Sequence, residues 1–325
     1  MTRTEAQPTR IAVAHSCEGA GHATRMLAVV ERLKSAGYET AMAGGGPGTR
    51  FVDENGHTEY EPATVEFIDD FQNGGLLDVL RNSGPGLYDR VQEYRAWYRA
   101  QSPALVLADG ISAAIAAAAD DREYLYVSHD PAAFYDNPVE RVGAVVRNRL
   151  AMRTATRFLL PKVWDGEPTV PGAEVIPPLA PERDAAERDV DVLLVPSAFS
   201  IDPDRLADTL RARGREVTLV GGENWETEPT LQPYIAGANL VVCNGYSTVM
   251  EAAVAGTPCL VLPTTSEQQG VADALSETRG FYAAASLDDV EALLGDVESP
   301  RPQPNGAARV AELVAGYADG KRIVR

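Results

Sequence analysis

Between Asn239 and Pro263 the chain places an apolar run, a short polar turn and a helix start in a row, and the turn holds residue types suited to an anion. Leu240, Val241 and Val242 form the run, Asn244-Gly245 breaks it, and Ser247 with Thr248 stands where a helix begins. Gly256 and Pro258 supply the stop. A helix start presents several unpaired backbone N–H groups and the positive end of the aligned peptide dipoles, and small residues ahead of it leave room for a phosphate. Glu251 follows Ser247 by four residues and so shares its face, one turn further in, where a carboxylate can accept hydrogen bonds from sugar hydroxyls. Phosphate and ribose together suggest a nucleotide.

A second glycine-bearing loop, Gly19-Ala20-Gly21-His22, follows the strand expected over Ile11 to Ala14. Met26, Val30 and Leu33 then recur at helical spacing up to Gly37, the expected stop. Thr24 stands where the dinucleotide fingerprint has its third glycine, and no acidic residue closes Tyr38 to Ala43, so a nicotinamide or flavin cofactor is not expected.

These loops need sheets to hold them. Strands expected at Ile11 to Ala14, Tyr38 to Ala43, Leu105 to Ala108 and Tyr124 to Val127 alternate with helical stretches, the pattern of a parallel sheet. Prolines 168, 171, 177, 178 and 181 then crowd one segment that reads as a connection. Alternation resumes with Val190 to Val195, a helix over Asp202 to Arg213, Val217 to Val220, Leu240 to Val242, Leu260 to Leu262 and a helix after Glu267. After a second proline-rich stretch, Val310, Leu313, Val314 and Tyr317 predict a terminal helix. The fold class is α/β, divided as a first lobe over 1–162, a linker over 163–188, a second lobe over 189–302 and a C-terminal helix over 303–325. In such a protein ligands sit where the carboxyl ends of the two sheets face one another.

At 325 residues and 45% hydrophobic content the chain can build two cores. A formal charge of −18 argues against nucleic-acid binding, which rests on Lys and Arg neutralising phosphates. Lysine occurs only at 34, 162 and 321 in an acidic background, a bias associated with a salt-rich cytoplasm. No apolar run approaches the ~20 residues that span a bilayer, and MTRTEAQPTR lacks a signal-peptide core, so a cytoplasmic location is expected. Cys17, Cys243 and Cys259 lack the spacing of a disulfide framework or zinc site and read as buried thiols.

The run from Cys243 to Pro258, with Glu267-Gln268-Gln269 downstream and Gly19-Ala20-Gly21-His22 near the start, resembles the GT-B glycosyltransferases, and within them the branch of the peptidoglycan lipid-intermediate N-acetylglucosaminyltransferase. The resemblance implies two Rossmann-like lobes facing across a cleft, with the C-terminal helix returning to the first lobe. It implies a nucleotide-sugar donor, UDP-linked, in the second lobe and a glycan or lipid-linked acceptor in the first. Gly245, Ser247 and Thr248 would contact the diphosphate, Glu251 the ribose, and Gln268 and Gln269 the transferred hexose or N-acetylhexosamine. Asp273-Ala274 lies one residue further from Gln269 than the family pattern has it, so the roles within the glutamine pair stay open. Inversion needs a base for the acceptor hydroxyl, and by resemblance His22 is the candidate, with Asp109 orienting it. His129, in Ser128-His129-Asp130, competes for that role. No metal is expected, since helix amides and dipoles can neutralise the leaving diphosphate.

Bland readings stand beside these. Ser247 and Asp109 can be helix caps, His22 and His129 packing residues, Trp225 surface packing rather than a base-stacking ring, and Gly44-Gly45-Gly46 with Gly48 a plain loop rather than a phosphate cradle. The Asp189-Val190-Asp191 triplet mimics a metal motif but precedes a strand. From Arg141 to Lys162 six basic residues occur with no Asp or Glu, which suggests either ion pairs in the fold or peripheral contact with an anionic membrane through Arg147, Arg149 and Arg153. Two other functions fit the same architecture: a non-hydrolysing nucleotide-sugar 2-epimerase, and a non-catalytic nucleotide-sugar-binding partner subunit.

Overall fold

The computed structural model describes residues 8–64, 76–182, 187–197, 202–223, 225–294 and 297–320, with the side chains of 76–83 left aside. Residues 1–7, 65–75, 183–186, 198–201, 224, 295–296 and 321–325 fall outside these ranges.

The first lobe runs β1 (Arg10–His15), α1 (Ala20–Ser35), β2 (Glu39–Ala43), α2 (Thr49–Glu54), β3 (Glu59–Tyr60), α3 (Leu76–Gln101), β4 (Leu105–Asp109), α4 (Ile111–Ala119), β5 (Tyr124–Val127), α5 (Pro138–Thr154), β6 (Arg157–Pro161) and β7 (Glu174–Ile176). The second continues with β8 (Val190–Val195), α6 (Pro203–Ala212), β9 (Val217–Leu219), α7 (Gln232–Ala236), β10 (Ala238–Cys243), α8 (Tyr246–Ala255), β11 (Cys259–Val261), α9 (Ser266–Leu275), β12 (Phe281–Ala283) and α10 (Leu287–Leu293). The last helix is α11 (Ala307–Ala318). Among the described residues every strand pairing is parallel, in the orders β3-β2-β1-β4-β5-β6-β7 and β12-β11-β10-β8-β9. Central strands such as Leu105–Asp109 are buried along their whole length, as a sheet covered on both faces requires.

Helix ends are set by local chemistry. Asp202, Thr265 and Ser286 each cap a helix of the second lobe by accepting from its first-turn amides. The two helices that face each other across the lobes, α1 and α8, start instead at Gly19 and Gly245, with no side-chain cap. Helix α8 ends at Gly256, whose φ of 78° is the left-handed cap that glycine adopts without strain.

Within residues 163–188, expected to connect the lobes, lies β7, which extends the first sheet through the register Leu159↔Glu174 to Pro161↔Ile176. Its prolines lie on either side of the strand, and an edge strand tolerates them. The terminal helix returns to the first lobe: Val310, Leu313 and Val314 are fully buried, and Tyr317 accepts from Arg157 at 2.8 Å. Tyr38 closes the same seam by donating to Asp319 at 2.9 Å.

The lobes are in contact. One apolar cluster runs from Val13, Met26 and Leu33 through Phe134, Trp164 and Tyr246 to Leu193 and Val241, so the inner layers of both sheets share a core. The outer faces keep their own clusters, around Tyr94 and Tyr98 in the first lobe and Leu206 and Leu240 in the second. Among the described residues no helix is long and apolar enough to cross a membrane.

Candidate active site between the lobes

The first-lobe wall is built by the ends of β1, β4 and β5 and the first turn of α1. Pairing His15↔Asp109 places Asp109 at the carboxyl edge of the sheet, where α1 passes over it. His22 Nδ1 lies 3.2 Å and 3.3 Å from the two Asp109 oxygens. Between them sits a residue that the sequence reading missed. Arg25, one helical turn after His22 and 2% exposed, donates to Asp109 Oδ2 at 2.6 Å, Asp109 Oδ1 at 2.5 Å, His22 Nδ1 at 2.7 Å and His129 Nδ1 at 2.9 Å. An arginine three residues after a cleft histidine on one helix was the available signal.

Burial alone would raise the Asp109 carboxyl, but the Arg25 charge and His22 hold it well below the usual carboxylate range. Burial and the Arg25 charge pull His22 below its ordinary value, with Asp109 opposing them, so the ring is neutral near pH 7. Asp109 is therefore no helix cap, and the cap of α4 is Gly110. It is Arg25's partner first and the histidine's second.

His129, the competing base, has both nitrogens engaged: Nδ1 accepts from Arg25, and Nε2 lies 2.9 Å from Glu267 Oε1 in the second lobe. Its ring stacks on Tyr246, with centroids 4.6 Å apart. No nitrogen is left for a substrate proton. His22 keeps Nε2 uncommitted, with 26% of its side chain exposed.

The second-lobe wall is the amino end of α8. It points at the first lobe, and Ser247 Oγ donates to the Gly21 carbonyl at 2.8 Å. The approach is so close that a Cβ on Gly21 would lie 2.4 Å from Ser247 Oγ, which is why glycine stands there. Nothing lies within 4 Å of where a Cβ on Gly245 would be, so this turn has open space beside its uncapped amides. Thr248 is buried, and Asn244 Oδ1 accepts from Ser197 N at 3.0 Å. Tyr246 anchors the helix start by donating to Pro161 O and accepting from Val163 N, both at 3.1 Å.

Glu251 is 5% exposed, and burial pushes its carboxyl up to about 8, so it is neutral at pH 7 and able to donate as well as accept. Gln268 folds back onto Thr264, whose backbone N–H and hydroxyl both donate to its Oε1, and Gln269 donates to Asp273 on the same helix at 2.8 Å. These bonds of both glutamines lie within α9 and the turn before it.

Other motifs resolve into packing. Gly44 and Gly48 lie against the His15 ring and Gly46 against the Cys17 carbonyl. His15 is itself buried against Glu59 at 2.6 Å. Close approach thus accounts for that glycine cluster. Trp225 packs on Tyr234 at 5.0 Å in a groove shared with Arg188. Asp191 pairs with Arg215 at 2.6 Å. Arg147 turns inward to Asp130 at 2.6 Å, which removes it from the proposed membrane face and leaves Arg149 and Arg153 exposed there.

No family model matches the chain, and no curated protein matches it in sequence. Solved structures do. The glycosyltransferase SsfS6 of Streptomyces sp. SF2575, complexed with thymidine diphosphate, is 16% identical over 96% of each chain with a TM-score of 0.64. The spinosyn rhamnosyltransferase SpnG with spinosyn aglycone is 18% identical over 96% of this chain and 97% of that one, at 0.61. SnogD of Streptomyces nogalater is 17% identical over 96% and 100%, also at 0.61. The narrower likeness to the peptidoglycan branch rests on the sequence motif alone. What these identities show is the fold, and the chain has the GT-B architecture: two parallel α/β lobes whose carboxyl edges meet, closed by a helix that returns to the first.

Proposed function

We propose that this chain is a glycosyltransferase that moves a hexose or N-acetylhexosamine from a pyrimidine nucleoside diphosphate to an acceptor hydroxyl with inversion. The observation that carries the reading is the uncapped amino end of α8 set directly against the wall that bears His22. The donor diphosphate would replace Gly21 as the partner of Ser247 and take the free amides of Tyr246, Ser247 and Thr248. Those donors and the helix dipole would stabilise the leaving charge without a metal. His22 Nε2 would take the acceptor's proton as its oxygen bonds to the anomeric carbon, while the bond to the diphosphate breaks and its electron pair leaves with the nucleotide.

Uridine is the base that the sequence motif suggests, whereas the SsfS6 complex holds thymidine diphosphate. The acceptor is a glycan or lipid-linked hydroxyl on the motif's argument, or an aglycone of the kind bound in SpnG. Calorimetry with UDP and TDP, then donor-hydrolysis and transfer assays on wild type and His22→Ala, tests the reading. Nucleotide binding in both proteins with turnover only in wild type is the expected result. Binding without turnover in wild type would favour the partner-subunit reading, and the absence of binding would refute both. Donor converted to its C2 epimer without any acceptor would identify an epimerase.

A further inference from the structure

The guanidinium of Arg25 fixes which nitrogen of His22 carries the proton. It has five N–H groups and no acceptor, so whatever it faces at hydrogen-bond distance must accept. Four of the five are used: two on Asp109, one on His22 Nδ1 and one on His129 Nδ1. At 2.7 Å the Arg25 contact to His22 is the shorter one, and the Asp109 oxygens stand further off, at 3.2 Å and 3.3 Å. An Nδ1 that accepts from Arg25 cannot donate to Asp109. A neutral ring then carries its hydrogen on Nε2, the nitrogen that faces the cleft.

His129 supplies an independent check on this logic. With Nδ1 accepting from Arg25, its hydrogen is on Nε2 and is donated to Glu267 at 2.9 Å, so every polar atom of the ring is satisfied in one tautomer. One side chain thus sets two rings alike.

We propose that Arg25 is a positioning residue that holds His22 in the Nε2-protonated tautomer, which is the form unable to accept a substrate proton there. The inference rests on the glycosyltransferase reading for its meaning in catalysis, though not for its test. The base-competent form has Nδ1–H donated to Asp109 and a lone pair on Nε2. Reaching it takes one exchange, in which Nε2 gives its proton to water, Nδ1 takes one from water, and Arg25 withdraws from Nδ1. The ring stays neutral throughout. Arg25 therefore sets which of the two neutral forms of the base prevails.

The test is nitrogen NMR on protein labelled with 15N-histidine, the His22 signals being assigned with His22→Gln. Wild type without ligand is expected to show Nδ1 as the unprotonated, pyridine-type nitrogen and Nε2 as the protonated one. Arg25→Lys keeps a positive charge beside Asp109 but lacks the planar fork that reaches all partners at once. It is expected to move the hydrogen to Nδ1. A wild-type spectrum with the hydrogen on Nδ1 overturns the proposal whether or not the variant folds, and so does a folded Arg25→Lys protein with the wild-type pattern. Because the readout uses neither donor nor acceptor, a protein that shows these tautomers yet binds no nucleotide would refute the proposed function and leave this inference standing.

Discussion

Glu251→Gln is the substitution whose consequence can be worked furthest from the structure. Glu251 sits on the buried face of α8, 5% exposed, and burial lifts its carboxyl from 4.5 to about 8 against a smaller pull from Gln232. An acid whose folded pKa is raised costs nothing below its unfolded value, because both states are protonated there. As pH rises above 4.5 the unfolded chain ionises while the folded one holds its proton, and stability falls until the pH passes about 8. Each pH unit in that window costs about 1.4 kcal/mol, so wild type should lose about 3 kcal/mol between pH 5 and pH 7.5 through this group. Glutamine keeps the shape and most of the hydrogen-bonding capacity without a titratable proton. Urea denaturation at the two pH values should therefore show the variant gaining about 3 kcal/mol on wild type as pH rises. A difference between the two proteins that stays flat across the window would refute the assignment of a neutral, desolvated carboxylic acid at this position.

Other perturbations address the seam between the lobes. Gly21→Ala puts a methyl 2.4 Å from Ser247 Oγ and should destabilise the fold by about 1–3 kcal/mol, with Ser247→Gly restoring the melting temperature; an unchanged melting temperature in the single variant would count against the tight contact. Glu267→Gln weakens a charge-assisted contact across the lobes and should cost about 1–2 kcal/mol, and its coupling to His129 can be read from a double-mutant cycle with His129→Gln. If His22 is the base, its lowered pKa puts the acid limb of kcat/KM below pH 6.5, and a limb above that value would exclude it.

Much of this architecture was readable because its signals are local. Tyr124–Val127 and Val190–Val195 are apolar runs bounded by breakers, and the sequence places both with the bounds that the structure has. Asp202 before a helical stretch is likewise a cap visible in one dimension. The readings that needed revision depend on what meets in space. The stretch from Gln72 to Asp89 reads in the sequence as an acceptor-side loop, yet from Leu76 onward it belongs to helix α3, which carries Pro85 in its interior and runs on through Gln101. The cleft histidine and aspartate could be paired by resemblance. Arg25 could not be placed between them, because only the fold sets its guanidinium on Asp109, His22 and His129 together. Cys243 and Cys259 show no suggestive spacing, yet the adjacency of β10 and β11 brings their sulfurs to 3.6 Å.

The strengths of the contacts between the lobes say which part of the seam gives way when a ligand enters. Around Tyr246 the contact is apolar and multiply bonded: its ring meets His129 and Trp164, and its hydroxyl takes both Pro161 and Val163. Burying such a ring is worth about 2–3 kcal/mol before its hydrogen bonds are added. One residue further on, Ser247 holds Gly21 by a single neutral hydrogen bond, worth about 1 kcal/mol net. A diphosphate offers the same hydroxyl and its neighbouring amides charge-assisted bonds of about twice that strength each, so the exchange favours the ligand at Ser247 while Tyr246 holds. Hydrogen exchange reads the two sites separately. With UDP or TDP bound, the amides of Tyr246, Ser247 and Thr248 should slow, those of the α1 first turn should change with them, and Val163, whose amide is bonded to Tyr246, should exchange as before. Faster exchange at Val163 on binding would mean that the lobes part at the tyrosine, and the ordering of strengths argued from these contacts would be wrong.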